Sequence, residues 1–200
     1  MCYSATSSIQ SYFSTLSLVL LMLLYYGLYS IYLLWHILFI ATFSQIQLIE
    51  YFIWSSIYEN NTSRNIYWTS IIPALLWMQP LVQTLGHLMV AENTIVPSIL
   101  VIYYLYKAIQ SFSVRPHLMS HIGTYGHLVW GHHFTFWQSL LYLYGMFAPL
   151  LLTRQYTLFM YGLISLVYIR FKYPIQEFSS MWCFVAIGYT ILLVPLSLYM

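Results

Sequence analysis

The sequence predicts an all-α fold, a polytopic bundle of about seven transmembrane helices with the N-terminus inside and the C-terminus outside. Two observations predict this class. Apolar residues make up 61% of the 200-residue chain and charged residues only 5%, whereas about a quarter of the residues in soluble domains are charged. The apolar residues also occur in runs of about 20, the length that crosses a bilayer. A soluble protein could not bury this much apolar surface, so lipid is the expected solvent.

Turn-forming residues divide the chain into the predicted spans. The stretch 9–58 holds one acidic and no basic residue. It is too long for one span, so we divide it at Gly27, since glycine often ends a helix. The segment ENNTSRN at 59–65 has strong turn character, and Pro73 and Pro80 predict a kinked third helix. We predict one transmembrane domain over 1–200 with spans at about 8–28, 31–58, 66–90, 94–112, 133–152, 156–171 and 178–199.

The basic residues orient this bundle, because loops rich in Lys and Arg stay on the inner side of a membrane. With seven spans, the N-terminus shares a side with the histidine-rich loop 113–132. Only Arg154 lies on the opposite side. The basic residues on the side of the N-terminus are Arg64, Lys107, Arg115, Arg170 and Lys172. We therefore expect the N-terminus and the histidine-rich loop to face the interior.

Charge and cysteine content argue against several classes of protein. The net charge of +2 is small and dispersed, unlike a nucleic-acid-binding surface. Two cysteines without a CxxC motif predict neither a disulfide framework nor a thiol redox pair. No internal repeat is visible, so an inverted-repeat transporter gains no support. The expected partners are the lipid bilayer and either further copies of the chain or a larger membrane complex.

The predicted topology gathers thiol and imidazole groups on the interior side, together with the Glu50 carboxyl group. These are ligand types for zinc, copper and iron, so a metal ion or a haem is one interpretation. The alternative is that the histidines are ordinary interfacial polar residues and the cysteines pack as small apolar groups. The spacing HxxxxHH at 127–133 also departs from the histidine boxes of membrane di-iron enzymes. The candidate ligands are Cys2, His127, His132, His133 and Cys183.

A second set of polar residues lies within the predicted spans. An ionisable group at membrane depth costs about 3 kcal/mol on insertion scales, so we expect Glu50 to be paired or protonated. Gln79 falls at mid-depth in the third span, next to Pro80, which frees a backbone carbonyl one turn earlier. His87 extends this line toward the exterior. These residues predict either a polar pathway or hydrogen bonds that hold the helices together.

Five short stretches, in order along the chain, form a pattern. They are MCYSATSS, QLIEYFIW with Glu50, WMQP with Gln79 and Pro80, YGHLVW with His127 and Trp130, and SSMWCFVAIG with Trp182 and Cys183. Together they resemble a family of uncharacterised small multi-pass membrane proteins of bacteria and large DNA viruses. Members open with MCWS or MCFS and carry a glutamate in the second span, a Gln-Pro pair, a WHIAW-like segment and a final Trp-Cys pair. The chain departs from the family at Leu75, where a histidine is frequent, and lacks cysteines directly ahead of the WHIAW-like segment.

The resemblance implies candidate residues and no mechanism. It singles out Cys2, Glu50, His127 and Cys183 as candidate functional residues. It implies structural roles for Pro80, Trp130 and Trp182. Three functions therefore stay open. The first is a small-solute or proton transporter, or a channel-like protein, with a path through Glu50, Gln79 and His87. The second is a metal- or haem-dependent membrane enzyme or redox protein, and the third is a non-catalytic subunit of a larger membrane complex. Transport ranks first, on the frequency of such proteins.

Overall fold

The chain folds into packed α-helices and one short β-hairpin. The computed structural model describes residues 4–26, 30–113, 118–174, 177, 180 and 185–196. The helices are α1 (Ala5–Tyr26), α2 (Ile31–Tyr58), α3 (Thr62–Thr69), α4 (Ile72–Val90), α5 (Ile95–Ser113), α6 (Phe136–Leu152), α7 (Tyr156–Lys172) and α8 (Val185–Leu196). The strands are β1 (His121–Ile122) and β2 (Leu128–Val129).

Three helices are long and apolar enough to cross a membrane. They are Ala5–Tyr25, Ile31–Tyr58 and Ile95–Ser113. The helix Phe136–Leu152 is apolar but shorter. Within α5, apolar side chains such as Ile99 and Ile102 stand exposed on the surface of the protein, as is expected for a helix that faces lipid. The all-α class and helices of membrane-crossing character are thus confirmed.

The segment predicted as one kinked helix over 66–90 contains two helices instead. The Asn61 side chain accepts a hydrogen bond from the backbone N–H of Arg64 at 3.0 Å and so begins α3 four residues earlier than predicted. The helix then ends at Ser70. Pro73 lies in the first turn of α4, where its missing N–H costs nothing. Pro73 therefore starts a helix and does not kink one, while Pro80 lies inside α4.

The centre of the fold is the antiparallel pair of α2 and α4. Trp35, near the start of α2, donates a hydrogen bond to Gln83 Oε1 near the end of α4 at 2.8 Å. Gly86 lies one turn further on, and its missing side chain leaves the space that the Trp35 ring fills. Both partners of the hydrogen bond are 1% exposed. The two helices therefore approach closely at this end, with a polar contact sealed between them.

Gly86→Ala is expected to lower the free energy of unfolding by about 1–3 kcal/mol, the usual cost of overpacking a core. A Cβ at Gly86 would overlap the Trp35 ring, which cannot move without breaking its hydrogen bond to Gln83. Thermal unfolding in detergent, followed by tryptophan fluorescence, measures the effect. Gly162→Ala is the matched control, because its Cβ would meet only the edge of the half-buried Phe147 ring. Equal melting temperatures for the two variants would contradict this account of α2 and α4.

Candidate functional site

The histidine-rich loop is an ordered hairpin, which we define as residues 118–132. Strands β1 and β2 pair antiparallel, with His121 opposite Val129 and Ile122 opposite Leu128. The turn closes with a hydrogen bond from the Gly123 N–H to the His127 carbonyl at 2.7 Å. Gly126 has a φ of 80°, a conformation that favours glycine. The second strand and Trp130 are buried, so one side of the hairpin packs into the helix bundle.

An asparagine on α3 fixes the start of the hairpin. The Asn65 amide donates to the Ser120 carbonyl at 3.0 Å and accepts from the Ser120 N–H at 2.9 Å. The Thr69 and Ser120 hydroxyl oxygens lie 2.9 Å apart. All three side chains are buried. Because a buried backbone group without a partner is costly, this pair of bonds holds the hairpin against α3.

A carboxyl group holds the turn of the hairpin from the opposite side. Glu177 accepts hydrogen bonds from the Thr124 hydroxyl at 3.0 Å, the Tyr125 N–H at 3.2 Å and the His127 N–H at 3.3 Å. Successive backbone N–H groups aimed at one point form a concave anion site. Glu177 is 2% exposed, so its carboxyl oxygens are satisfied mainly by the hairpin backbone.

Trp130 links the hairpin to Glu50 by a hydrogen bond. The indole N–H of Trp130 donates to Glu50 Oε1 at 3.2 Å, and the Ser180 hydroxyl donates to the same oxygen at 2.6 Å. Glu50 is fully buried, and the two donors are at most 3% exposed. This contact joins three parts of the chain that are far apart in sequence. We call it the Glu50 site.

The histidines of the hairpin do not form a metal centre with other described residues. His127 is fully buried, and its ring lies edge-on to the Tyr173 ring at 5.2 Å between centroids. Burial lowers the pKa of His127, and the nearby Glu177 offsets part of that change. Burial also lowers the pKa of His132, and the positive charges of His133 and Lys107 add to the effect. Where the structure describes the chain, no three His, Cys, Asp or Glu side chains come together as metal ligands.

Three of the predicted residues lie outside the part of the chain that the structure describes. They are Cys2, Trp182 and Cys183.

Acidification is expected to lower the melting temperature of the protein. His127 has a pKa below its ordinary value of 6.5, so it is neutral in the folded protein at pH 7. Below pH 6.5 the unfolded chain binds the proton more readily, and stability falls as the pH drops toward the folded pKa. Melting temperatures between pH 7.5 and pH 5.5, about a unit on either side of that ordinary value, measure this slope.

His127→Phe should reduce this pH dependence, and the other buried histidines, such as His132, whose pKa is lowered in the same direction, should leave a residual slope. His121→Phe is the control, because His121 is exposed on the same hairpin and should leave the slope as it is in the parent protein. A His127→Phe variant with the full slope would show that another group is responsible.

A stripe of polar residues runs along the buried face of α4. Gln79, Gln83 and His87 stand four residues apart, so they share one face of the helix. Exposure is 0% for Gln79, 1% for Gln83 and 9% for His87. The Tyr142 hydroxyl donates to Gln79 Oε1. Within the described chain, neither the Gln79 amide nitrogen nor His87 Nδ1 has a hydrogen-bond partner. We call these three residues the α4 stripe.

The three residues of the predicted line, Glu50, Gln79 and His87, lie at separate levels of the bundle. The bond from Trp35 to Gln83 fixes the register of α2 and α4. A rise of about 1.5 Å per residue then places Glu50 about 16 Å further along the bundle than Gln79. The intervening turns hold buried apolar residues of both helices, Ile46, Ile72 and Leu75 among them. They also hold the buried polar side chains of Ser44 and Gln47 on α2. His36 of α2 contacts Gln155 and Tyr189.

A cleft of about 830 Å³ lies at the end of the bundle away from the hairpin. It is bounded by the start of α2 and α5 and by the end of α4 and α6. Its apolar walls include Val96, Leu100 and Leu152. Its polar lining is Thr84, His87, Glu92, Asn93, Thr153 and Arg154. Of the three residues of the α4 stripe, His87 therefore lines the cleft, whereas Gln83 and Gln79 lie about one and two turns further along α4, away from it.

Several residues of these sites were not predicted from the sequence. Asn65, Ser120 and Ser180 carry no local signal, because their partners are 50 or more residues away. Glu92 and Arg154 were assigned only to connecting turns, yet both line the cleft. The comparisons add no further residues, since no protein-family model, no curated protein and no solved structure matches this chain.

Proposed function

We propose that the protein is a multi-pass membrane carrier that moves a small polar solute or a proton along the α4 stripe. The observation that carries the proposal is a cleft that opens at one end of the bundle and reaches the α4 stripe at His87. The stripe holds buried, incompletely hydrogen-bonded groups at His87 and Gln79. A bundle that served only as a scaffold would gain by filling these positions with apolar side chains, because an unpartnered buried polar group costs about 1–3 kcal/mol.

The proposed topology has seven spans, with the hairpin on the inner side and the cleft on the outer side. The positive-inside rule supports this orientation, since Arg64 lies on α3 at the hairpin end and Arg154 lies at the cleft end. Helices of membrane-crossing length support a membrane location. Asn60 starts an NNT glycosylation sequon at the hairpin end, so its glycosylation in a eukaryotic host would contradict this orientation.

The carrier works by alternating access in this proposal. The described conformation is open at the cleft end, and in this proposal the packed layer around Ile46 and Leu75 closes the path toward the Glu50 site. Release on the inner side requires the hairpin to move away, which breaks the contact between Trp130 and Glu50. In this step the Glu50 carboxyl group loses the hydrogen bond from Trp130 and gains a proton, which would couple the movement of the hairpin to proton transfer.

The Glu50 site also supports membership of the family described above, which we propose on the same grounds. Glu50 belongs to QLIEYFIW, Trp130 to YGHLVW and Ser180 to SSMWCFVAIG. Three of the stretches that carry the resemblance thus meet at one carboxyl oxygen. A shared pattern of this kind is expected where separate motifs serve one buried contact.

Flux into liposomes tests the proposed function. The purified protein is reconstituted, and proton entry is followed with an internal pH dye while a panel of labelled polar solutes is assayed in parallel. Gln79→Leu removes the acceptor of the Tyr142 hydroxyl and should reduce flux at least tenfold. Gln45→Leu is the control, because Gln45 bonds only the Ala41 carbonyl within its own helix. Flux no greater than in empty liposomes, or equal effects of the two substitutions, would refute the proposal.

A further inference from the structure

The charges at the mouth of the cleft are its most informative feature. Glu92 and Arg154 both line the cavity and both have exposed side chains. Among described residues the structure has one salt bridge, between Arg64 and Glu59 at the hairpin end. Glu92 and Arg154 therefore face the same space with opposite charges and no ionic partner. In a chain with only 5% charged residues, two of them at one cavity indicate a role beyond solubility.

A third group lies deeper in the same cavity. His87 is nine-tenths buried, and its Nδ1 atom has no hydrogen-bond partner in the described chain. Its imidazole ring lines the cleft below the level of Glu92, because His87 lies in the last turn of α4. A buried ring nitrogen without a partner is costly, which points to a ligand that supplies the missing hydrogen bond.

The volume and the lining of the cavity narrow the range of ligands that it could bind. Its volume of about 830 Å³ exceeds that of a single ion with its water shell. About half of its lining residues are apolar, Val96 and Leu100 among them. A simple cation would need only Glu92, and a simple anion would need only Arg154. The arrangement fits a molecule that carries both charges.

We infer that the cleft binds a small zwitterion, an ammonium group joined by a short linker to a carboxylate or a phosphate. Arg154 receives the anionic group, since a guanidinium matches carboxylate and phosphate oxygens with two parallel hydrogen bonds. Glu92 receives the ammonium group, and His87 Nδ1 bonds a polar atom of the linker. This inference rests on the proposed carrier function and names the class of its substrate.

The same chemistry could come from two sources, a free zwitterion such as an amino acid or the headgroup of a phosphatidylethanolamine lipid. Leu152 and Val96 line the cleft and are also largely exposed on the protein surface, so the cavity has an apolar side that a lipid could approach. The assay below therefore has one arm for each source.

Equilibrium binding to the purified full-length protein in detergent tests the soluble source. Labelled glycine and phosphoethanolamine are the probes, and ethanolamine and acetate, each with one charge, are the comparison. We expect saturable binding of a zwitterion at least tenfold tighter than of either single-charge compound. The second arm counts phosphatidylethanolamine and phosphatidylglycerol molecules retained by the protein in nanodiscs, using native mass spectrometry. Preference for phosphatidylethanolamine, without binding of soluble zwitterions, assigns the headgroup as the ligand.

Two substitutions identify the site. Arg154→Gly removes the charge and also suits the φ of 60° at this position, so it should fold. Glu92→Gln keeps the size of an exposed side chain. Each should weaken binding at least tenfold, while Glu59→Gln and Arg64→Gln, which remove the same charges at the hairpin end, should not.

Equal affinity for zwitterions and single-charge compounds, or binding that survives both cleft substitutions, would overturn the inference. So would the absence of binding in both arms. Since these assays need no flux, their failure is separable from failure of the carrier proposal. Intact flux with no zwitterion binding refutes only the ligand class. Binding with no flux refutes only the carrier function.

Discussion

Glu50→Leu is expected to lower the free energy of unfolding by about 2 kcal/mol or more. The substitution leaves the Trp130 indole N–H and the Ser180 hydroxyl buried without their acceptor. Loss of the buried carboxyl group itself is favourable, but it does not restore an acceptor to either donor. Unfolding in detergent, followed by tryptophan fluorescence, measures the difference.

Glu50→Gln separates the structural role of this residue from its proposed functional role. The amide oxygen still accepts from Trp130 and Ser180 and the side chain keeps its length, so the melting temperature should stay near that of the parent protein. An amide cannot take up and release a proton near neutral pH, so proton-coupled flux should fall to the background of empty liposomes. Glu59→Gln, at an exposed salt bridge, should leave both properties unchanged. A Glu50→Gln protein with full flux would remove Glu50 from the mechanism.

The helices were largely predictable because their signal is local. The turn ENNTSRN and the stretch before Ile31 bracket α2, whose bounds of 31–58 are those predicted. Pro73 misled the prediction for a physical reason. Proline kinks a helix when it lies inside one and is well accommodated when it lies in the first turn. Sequence alone does not distinguish the two cases, because the outcome depends on whether a preceding helix ends before the proline, as α3 does at Thr69.

The candidate sites were less predictable, because they depend on contacts between distant residues. A polar residue at membrane depth costs free energy, so the sequence alone makes Glu50 and Gln79 candidate site residues. Both have hydrogen-bond partners in the fold. Nothing near Ser180 or Trp130 indicates that they meet at Glu50. The hairpin lies in a segment that the sequence predicts as a loop, since a two-residue strand leaves almost no periodic pattern to detect.

A disulfide bond between the hairpin and α3 is expected to abolish flux reversibly. The Thr69 and Ser120 hydroxyl oxygens lie 2.9 Å apart, so cysteines at these two positions would place their sulfur atoms close to the bonding distance of about 2.05 Å. In the alternating-access proposal the hairpin moves away from Glu50 during each cycle, and we expect its contact with α3 to break in that movement. The oxidised Thr69→Cys/Ser120→Cys protein should therefore lose nearly all flux and regain it when a reductant is added.

The single variants Thr69→Cys and Ser120→Cys receive the same oxidant and reductant, which accounts for any reaction of the native Cys2 and Cys183. Mass spectrometry of proteolytic peptides establishes that the new bond has formed. Zwitterion binding at the cleft should persist in the oxidised protein, because the cleft lies at the other end of the bundle from Ser120. Binding without flux would then isolate movement of the hairpin as the step that the bond blocks. Undiminished flux in the fully oxidised protein would mean that the hairpin stays in place throughout, and the path past Glu50 would have to lie elsewhere.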